Sequence, residues 1–312
     1  INRVVFISML IAEKINASSE GYFKDFSFTK DEMEELMLAA WMHDVGKITT
    51  PEYVVDKSTK LQTIFDRLEL IEARFQVIEK SIENDMLQKK VKLLEQSRDA
   101  DQTALAEIEQ AAQQQINILK EDFDVIRNAN TPGEFMDQEK IDQVKAIADK
   151  TYVHDNEERP YLTLDEVRNL SIRKGTLTSE ERRVIENHAS MTLKILNELT
   201  FPRKFSRVPE YAAGHHEKLD GSGYPRHLKE EELALQTRIL AVADIFEALT
   251  AKDRPYKKPM KLSQAVKILE FMVKDRHIDS EIFNLVLGSD ILKEYADKHM
   301  DPGQVDAPEI PE

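Results

Sequence analysis

Apolar residues recur every three or four positions along most of this chain, which is the spacing of α-helices. The first such series comprises Val4, Ile7, Ile11 and Ile15, and a second begins at about Lys30. Only nine of the 312 residues are glycine, so few positions interrupt these series. The pattern predicts an all-α protein.

A heptad pattern sets residues of about 62–128 apart. Its first half places apolar residues at Ile64, Leu68, Ile71, Phe75, Ile78 and Ile82, and its second at Leu105, Ile108, Ala112, Ile116, Leu119, Phe123 and Ile126. The two halves can form an antiparallel hairpin or a single rod of about 100 Å at ~1.5 Å per residue. The hairpin is favoured because the chain must return to the domain that it left. A polar helix over about 137–150 and an irregular stretch near Pro160 follow.

The charge balance narrows the classes of function. The chain carries 43 basic and 58 acidic side chains, a formal net charge of −15, which argues against binding a nucleic-acid polymer. It contains no cysteine, which excludes disulfides, thiolate metal sites and cysteine nucleophiles. No apolar run approaches the ~18 residues that would cross a bilayer. We therefore expect a soluble protein in the cytoplasm.

Candidate metal ligands occur at four places in the sequence. They are the pair His43-Asp44, the single His188, the pair His215-His216, and Asp244. A lone histidine or a His-Asp pair is more often structural than metal-binding. Asp244 is more informative, because a charge within an apolar helix must be paired or ligated. Imidazole and carboxylate ligands without thiolates favour Fe, Mn, Zn or Co.

The candidate ligands stand in recognisable motifs. These are His-Asp-Val-Gly-Lys at 43–47, Lys-Gly-Thr-Leu-Thr at 174–178 with His188 ten residues on, His-His-Glu-Lys-Leu-Asp-Gly-Ser-Gly-Tyr-Pro at 215–225, and residues 239–256 from Ile-Leu-Ala-Val-Ala-Asp to Arg-Pro-Tyr. In order, spacing and identity they resemble the HD-GYP family of metal-dependent phosphodiesterases. The resemblance covers roughly 200 residues, all but the heptad region and its flanks.

The resemblance implies an HD-superfamily helical bundle that hydrolyses cyclic di-GMP to linear pGpG or GMP. The implied metal ligands, for two or three divalent ions (Fe or Mn), are His43, Asp44, His188, His215, His216 and Asp244. Asp44 is the expected bridging carboxylate, and Lys47 is expected to hold a substrate phosphate oxygen. Arg254 and Lys257 match positions near the nucleotide, and residues 221–225 match a loop for structure and signalling partners. Two alternatives stay open: the same chemistry on cyclic GMP-AMP, and a weakly active metal-binding docking module.

The resemblance also predicts how the chain is divided. Residues 1–61 and 171–300 form the HD-GYP domain, 62–170 form an inserted helical hairpin with a polar helix, and 301–312 form a disordered tail. The insertion is either a solvated spacer or a surface for dimerisation or regulation. The family usually has a further histidine just ahead of the Arg3-Val4 pair, so we expect the first helix to continue upstream. A sensor domain or membrane tether upstream would fit that expectation.

Overall fold

The computed structural model describes residues 1–96, 102–132, 135–252 and 259–306. The described residues are mainly helical, as predicted, and include one two-stranded sheet. The α-helices are α1 (Asn2–Ala17), α2 (Lys30–Met42), α3 (Glu52–Val55), α4 (Leu68–Gln96), α5 (Gln102–Asn130), α6 (Gln138–Ala148), α7 (Leu164–Leu170), α8 (Ser179–Asn197), α9 (Val208–Ala213), α10 (Leu235–Thr250), α11 (Leu262–Lys274), α12 (Ser280–Gly288) and α13 (Ile291–His299). None of the helices in these ranges is both long and apolar enough to cross a bilayer.

The chain divides into two compact units. The first comprises Ile1–Pro51 and Arg183–Glu312, and the second comprises Glu52–Arg182. Each unit has its own hydrophobic core. The domain limits given above stay a prediction.

Helix α10 forms the centre of the first unit. Its side chains are buried on nearly every side, and α1, α9, α11 and α12 pack around it. Such a helix is apolar all round rather than amphipathic, which explains the run Ile239–Val242 just before Asp244. The candidate metal ligand Asp244 therefore lies on a helix that is buried in the core of this unit.

A capping box fixes the start of α2. The Thr29 hydroxyl accepts the Glu32 amide, and the Glu32 carboxylate accepts the Thr29 amide. Leu36, Ala39 and Ala40 then bury one face of the helix against the first core. The helix ends at Met42, so the His-Asp pair lies at its buried C-terminal end.

In the second unit, α4 and α5 lie antiparallel. Two ion pairs link these helices, Glu79 with Lys120 and Lys90 with Glu109. The residue number increases along α4 while that of its partner decreases along α5, as antiparallel helices require. Phe75 and Phe123 meet at ring centroids 5.5 Å apart in the core between them. This pairing agrees with the hairpin and excludes the single rod. The residues that join the two helices lie outside the described ranges.

Three local expectations were wrong. Ile64 precedes α4 and is 91% exposed, so the buried seam of α4 consists of Ile71, Phe75 and Ile78. The stretch near Pro160 is a β-hairpin of β1 (Thr151–His154) and β2 (Glu157–Pro160), paired antiparallel. The segment 301–306, expected to be disordered, contains a 3₁₀ turn whose buried Gln304 amide donates to the carbonyls of Thr250 and Met260.

Candidate metal centre

The end of α2 delivers two candidate ligands to one buried space. His43 is the C-terminal cap of α2 and is 1% exposed. Asp44 precedes a 3₁₀ helix, Val45–Thr49, which turns the chain away from the α2 axis. Because the chain turns there, the two adjacent side chains face the same space. The His43 Nε2 lies 3.4 Å from the Asp44 Oδ2 and 3.6 Å from the Asp244 Oδ1.

Three of the four histidines among the candidate ligands make the same kind of hydrogen bond to a backbone carbonyl. The Nδ1 atoms of His43, His188 and His215 lie within hydrogen-bond distance of the carbonyl oxygens of Ala40, Ile185 and Ala212. A carbonyl only accepts, so each Nδ1 carries a proton and each Nε2 is the atom turned towards the other candidate ligands. Second-shell bonds of this kind orient metal-ligating histidines and fix their tautomer.

The side chains converge in two groups that share His215. The possible ligand atoms of His188, His215 and His216 all lie within 4.8 Å of one another, as do those of His43, Asp44 and His215. The Asp44 carboxylate lies between the groups. Its Oδ1 is 3.4 Å from the His188 Nε2 and 3.8 Å from the His215 Nε2, while its Oδ2 lies on the His43 side. The structure thus brings together all six residues that the sequence singled out.

Several atoms of this cluster are buried without a hydrogen-bond partner. They are the Asp44 Oδ1 and the Nε2 atoms of His188 and His215. Leaving three buried polar groups unsatisfied is costly in a folded protein. All three are Lewis bases that face one another, so a cation would satisfy them together. The donor set therefore fits divalent metal ions.

The pKa directions favour the ligating protonation states. Burial lowers the pKa of His188, that of His215 to about 4, and that of His216 well below its usual value. Burial would raise the pKa of Asp44 and Asp244, but His43 outweighs it and both lie below their usual range. Three imidazoles are therefore neutral and both carboxylates ionised at neutral pH.

His43 differs from the other three histidines. Burial alone would lower its pKa, but hydrogen bonds and charge from Asp244 and Asp44 raise it to about 10. Its Nε2 therefore holds a proton between two carboxylates. A metal ion in this place would replace that proton, because bound imidazole must be neutral.

Gly46 and Thr192 join the segment after Asp44 to α8. The Thr192 hydroxyl accepts the Gly46 amide at 3.0 Å and donates to the His43 carbonyl at 3.1 Å. A Cβ added at Gly46 would lie 2.0 Å from the His188 carbonyl oxygen, so only glycine allows this close approach. From the sequence, Thr192 could have been recognised by its position one helical turn after the candidate ligand His188.

The loop after His215-His216 folds back onto these ligands. The buried Glu217 carboxylate accepts the amides of Arg226 and Leu228 at 2.7 and 3.0 Å. The Tyr224 amide donates to the His216 carbonyl, and the Tyr224 ring stacks on the His216 ring at 4.8 Å. A Cβ at Gly223 would lie 2.3 Å from the Lys218 amide nitrogen. The contacts of Tyr224 therefore hold His216 in position.

A cavity of about 200 Å³ opens beside the cluster. Its lining includes Arg3, His43, Asp44, Asp244 and Glu247. Arg3 donates twice to Glu247, from Nε and Nη2, at 2.9 and 2.7 Å. Glu247 lies three residues after Asp244, on the same side of α10, and sequence reasoning missed it.

The predicted substrate-binding residues have different outcomes. Lys47 lies beside the cluster, and its Nζ donates to the Asp44 Oδ2 at 2.6 Å. Its side chain is about one-third exposed. Arg254 and Lys257 lie outside the described residues. The roles of all three stay predictions.

Comparisons with known proteins find two HD-domain families that match successive parts of the chain. One HD-domain family matches residues 2–152 and a second HD-domain family matches residues 165–282. A 3′3′-cGAMP-specific phosphodiesterase of Vibrio cholerae is 44% identical over 96 residues, which are 31% of this chain and 20% of that protein. A cyclic di-GMP phosphodiesterase of Thermotoga maritima is 40% identical over 99 residues, 32% and 26% of the two chains. A probable cyclic di-GMP phosphodiesterase of Vibrio cholerae is 33% identical over 140 residues, 42% and 31%.

The similarity covers less than a third of each of these relatives. Together, however, the two HD-domain matches extend over most of this chain, and they include both pairs of candidate ligands and Asp244. The His-Asp pair at 43–44 and the Gly-Tyr-Pro loop at 223–225 are the two motifs that name one branch of that superfamily. The two HD-domain matches, and relatives that are named cyclic dinucleotide phosphodiesterases, support the assignment of this chain to the HD-GYP family of HD-domain proteins.

Proposed function

We propose that this chain is a metal-dependent phosphodiesterase that hydrolyses a cyclic dinucleotide, with cyclic di-GMP as the first candidate. The observation that carries the proposal is the set of buried, unpartnered ligand atoms on Asp44, His188 and His215. The names of the relatives support the substrate class, since they include cyclic di-GMP and cyclic GMP-AMP phosphodiesterases. The products would be linear pGpG, GMP or both.

In this proposal the six clustered side chains hold two or three divalent ions, with Fe or Mn favoured. His188, His215 and His216 form one group of ligands, and His43, Asp44 and the shared His215 form the other, with Asp244 beside His43. Asp44 has one carboxylate oxygen facing each group, which suits a bridging ligand. When bound, such ions supply Lewis-acid stabilisation of a phosphoryl group.

The charges at the site explain why cations are needed. The chain has a net charge of −15, and Asp44 and Asp244 are both ionised. A dianionic dinucleotide would be repelled from such a surface. Lys47 is the lysine beside Asp44, and it would exchange its bond with that carboxylate for a phosphate oxygen. Arg254 and Lys257 are proposed to contact the nucleotide on the strength of the resemblance.

The test is hydrolysis of cyclic di-GMP and 3′3′-cGAMP after anaerobic loading with Mn(II) or Fe(II), with the products separated by chromatography. We expect turnover by the wild-type chain and a loss of at least about 100-fold in Asp44→Asn. Asp297→Asn is the matched control, because Asp297 is an exposed aspartate of α13. The ratio of the two rates decides the base preference.

Metal-loaded protein that hydrolyses neither dinucleotide would contradict the enzyme proposal and favour the docking module. Full activity in Asp44→Asn would contradict the site. The cytoplasmic location and a signalling partner at residues 221–225 are parts of the same proposal that the hydrolysis assay does not address.

A homodimer through the inserted helices has support of its own. Leu87, Val91 and Leu94 follow one another at four- and three-residue spacing on α4, and each is at least half exposed. A stripe of this kind offers a partner surface for a second copy. Sedimentation equilibrium of Val91→Glu should show a shift from dimer to monomer, and a wild-type monomer at all concentrations would contradict the dimer.

A further inference from the structure

The second unit contains a cavity that the proposed phosphodiesterase activity does not use. Its volume is about 190 Å³. It is lined by Lys60, by the C-terminal end of α5, by Phe135 and Met136, by Lys140 of α6, and by Arg173. All of these residues belong to residues 52–182.

The lining is cationic. Lys60, Lys140 and Arg173 contribute three positive charges, and none of the described residues that line the cavity is aspartate or glutamate. Lys60 is the buried one, at 4% exposure, whereas Lys140 and Arg173 are exposed at the rim. Although the protein has a net charge of −15, every charged residue among the described lining residues is a cation.

Lys60 lacks the counter-ion that a neighbouring lysine has. Lys57 is equally buried, and its Nζ lies 2.8 Å from both carboxylate oxygens of Glu181. The Lys60 Nζ donates instead to the Met136 Sδ at 3.0 Å and to the Leu170 carbonyl at 3.2 Å. Neither partner carries a charge, so a buried ammonium remains uncompensated within the described structure.

Burial lowers the pKa of Lys60, and the nearby Lys140 lowers it further, to about 8. Lys60 is therefore mainly protonated at neutral pH although its surroundings disfavour the charge. An anion beside the Nζ would offset both effects.

The backbone around the cavity is fixed. The Lys60 amide donates to the Asn130 carbonyl at 3.1 Å, and the Met136 amide donates to the Arg173 carbonyl at 2.8 Å. The Leu61 amide donates to the Asn130 side chain at 2.8 Å. Hydrogen bonds therefore hold together the backbone segments to which these cations belong, so ligand binding would require little rearrangement of those segments.

Besides the cations and the neutral polar residues Asn128, Thr131 and Gln143, the lining is apolar. Val125, Ala129 and Met136 contribute buried or half-buried surface, and Phe135 is a 60% exposed aromatic ring. The volume is below the ~300–1,000 Å³ of most drug-sized ligand sites. A cyclic dinucleotide is therefore too large for this cavity, whereas a small organic anion fits.

We propose that this cavity binds a small organic carboxylate. The carboxylate group pairs with Lys60 between Lys140 and Arg173, and the apolar part of the ligand packs against Val125 and Phe135. The second unit is then a ligand-binding module within the HD-GYP chain.

The test is isothermal titration of the full chain with benzoate, phenylacetate and inorganic phosphate. We expect saturable binding of at least one carboxylate and weaker binding of phosphate, which has no apolar part. Lys60→Met should reduce carboxylate affinity at least tenfold, and Lys140→Gln should reduce it by a smaller factor. Lys145→Gln is the matched control, since Lys145 is exposed on α6 and does not line the cavity.

Lys60→Met should fold, because it removes an uncompensated buried charge and keeps an unbranched chain of similar length. If it does not, Lys140→Gln and Arg173→Gln test the rim instead. Absence of saturable binding by all three compounds would overturn the proposal. Equal carboxylate affinity in wild type and the cavity variants would also overturn it, as would phosphate binding as tight as benzoate.

Discussion

The contact between Gly46 and α8 gives the sharpest prediction about the metal centre. A Cβ at position 46 would lie 2.0 Å from the His188 carbonyl oxygen and 2.5 Å from the Thr192 amide nitrogen. Both atoms belong to the backbone of a helix, so neither can rotate away. Gly46→Ala must therefore push the segment that carries Asp44 away from α8.

The size of the effect follows from that overlap. Bringing the 2.0 Å contact out to 3.0 Å requires a displacement of 3.0 − 2.0 = 1.0 Å. Overpacking of this kind costs about 1–3 kcal/mol of unfolding free energy. The displacement separates Asp44 from His188, which are 3.4 Å apart at their nearest ligand atoms. A misplacement of about 1 Å among catalytic groups lowers activity by about 100-fold, and we expect Mn(II) affinity to fall as well.

The assay combines urea unfolding with Mn(II) titration of the same samples. Gly288→Ala is the matched control, because an added Cβ at the end of α12 has no atom within 4 Å among the described residues. We expect the control to stay within about 1 kcal/mol of the wild type. A Gly46→Ala protein with wild-type stability and wild-type Mn(II) affinity would refute the reasoning.

Three further predictions concern single bonds and the metal itself. Thr192→Val leaves the His43 carbonyl and the Gly46 amide unpaired, so it should cost about 2 kcal/mol in urea unfolding, and a loss below about 0.5 kcal/mol would count against it. Lys57→Met leaves the partly buried Glu181 carboxylate without its lysine partner, so it should lower the free energy of unfolding by about 3 kcal/mol. An unfolding free energy equal to that of the wild type would contradict this prediction. Chelation of bound metal with EDTA should lower the melting temperature reversibly, since a ligand at about 100 times its Kd contributes about 2.7 kcal/mol. An unchanged melting curve of metal-loaded protein would contradict that.

Sequence reasoning succeeds where the signal is local. The apolar run of α10 makes a single aspartate conspicuous, and the structure places Asp244 3.6 Å from His43. The heptad spacing of residues 68–82 and 105–126 predicts the paired helices. In both cases the periodicity reports directly on which side of a helix is buried.

It fails where two distant segments must meet. Lys57 pairs with Glu181 and Arg3 with Glu247, across 124 and 244 positions, and no spacing rule connects either pair. The missed β-hairpin is a different case. Asp155 and Asn156 both have positive φ, as a two-residue hairpin turn requires. This residue pair is a sequence signal for such a turn, but the helical patterns on either side of it favour a different prediction.

The central claim is that the six clustered side chains hold divalent metal. The most direct test is the metal content of the purified chain after anaerobic loading with Mn(II) or Fe(II) and removal of free ions. We predict at least two ions per wild-type chain and a clear loss in Asp44→Asn, with the Asp297→Asn control unchanged. Only trace metal in folded wild-type protein, or equal metal in the wild type and Asp44→Asn, would contradict the claim.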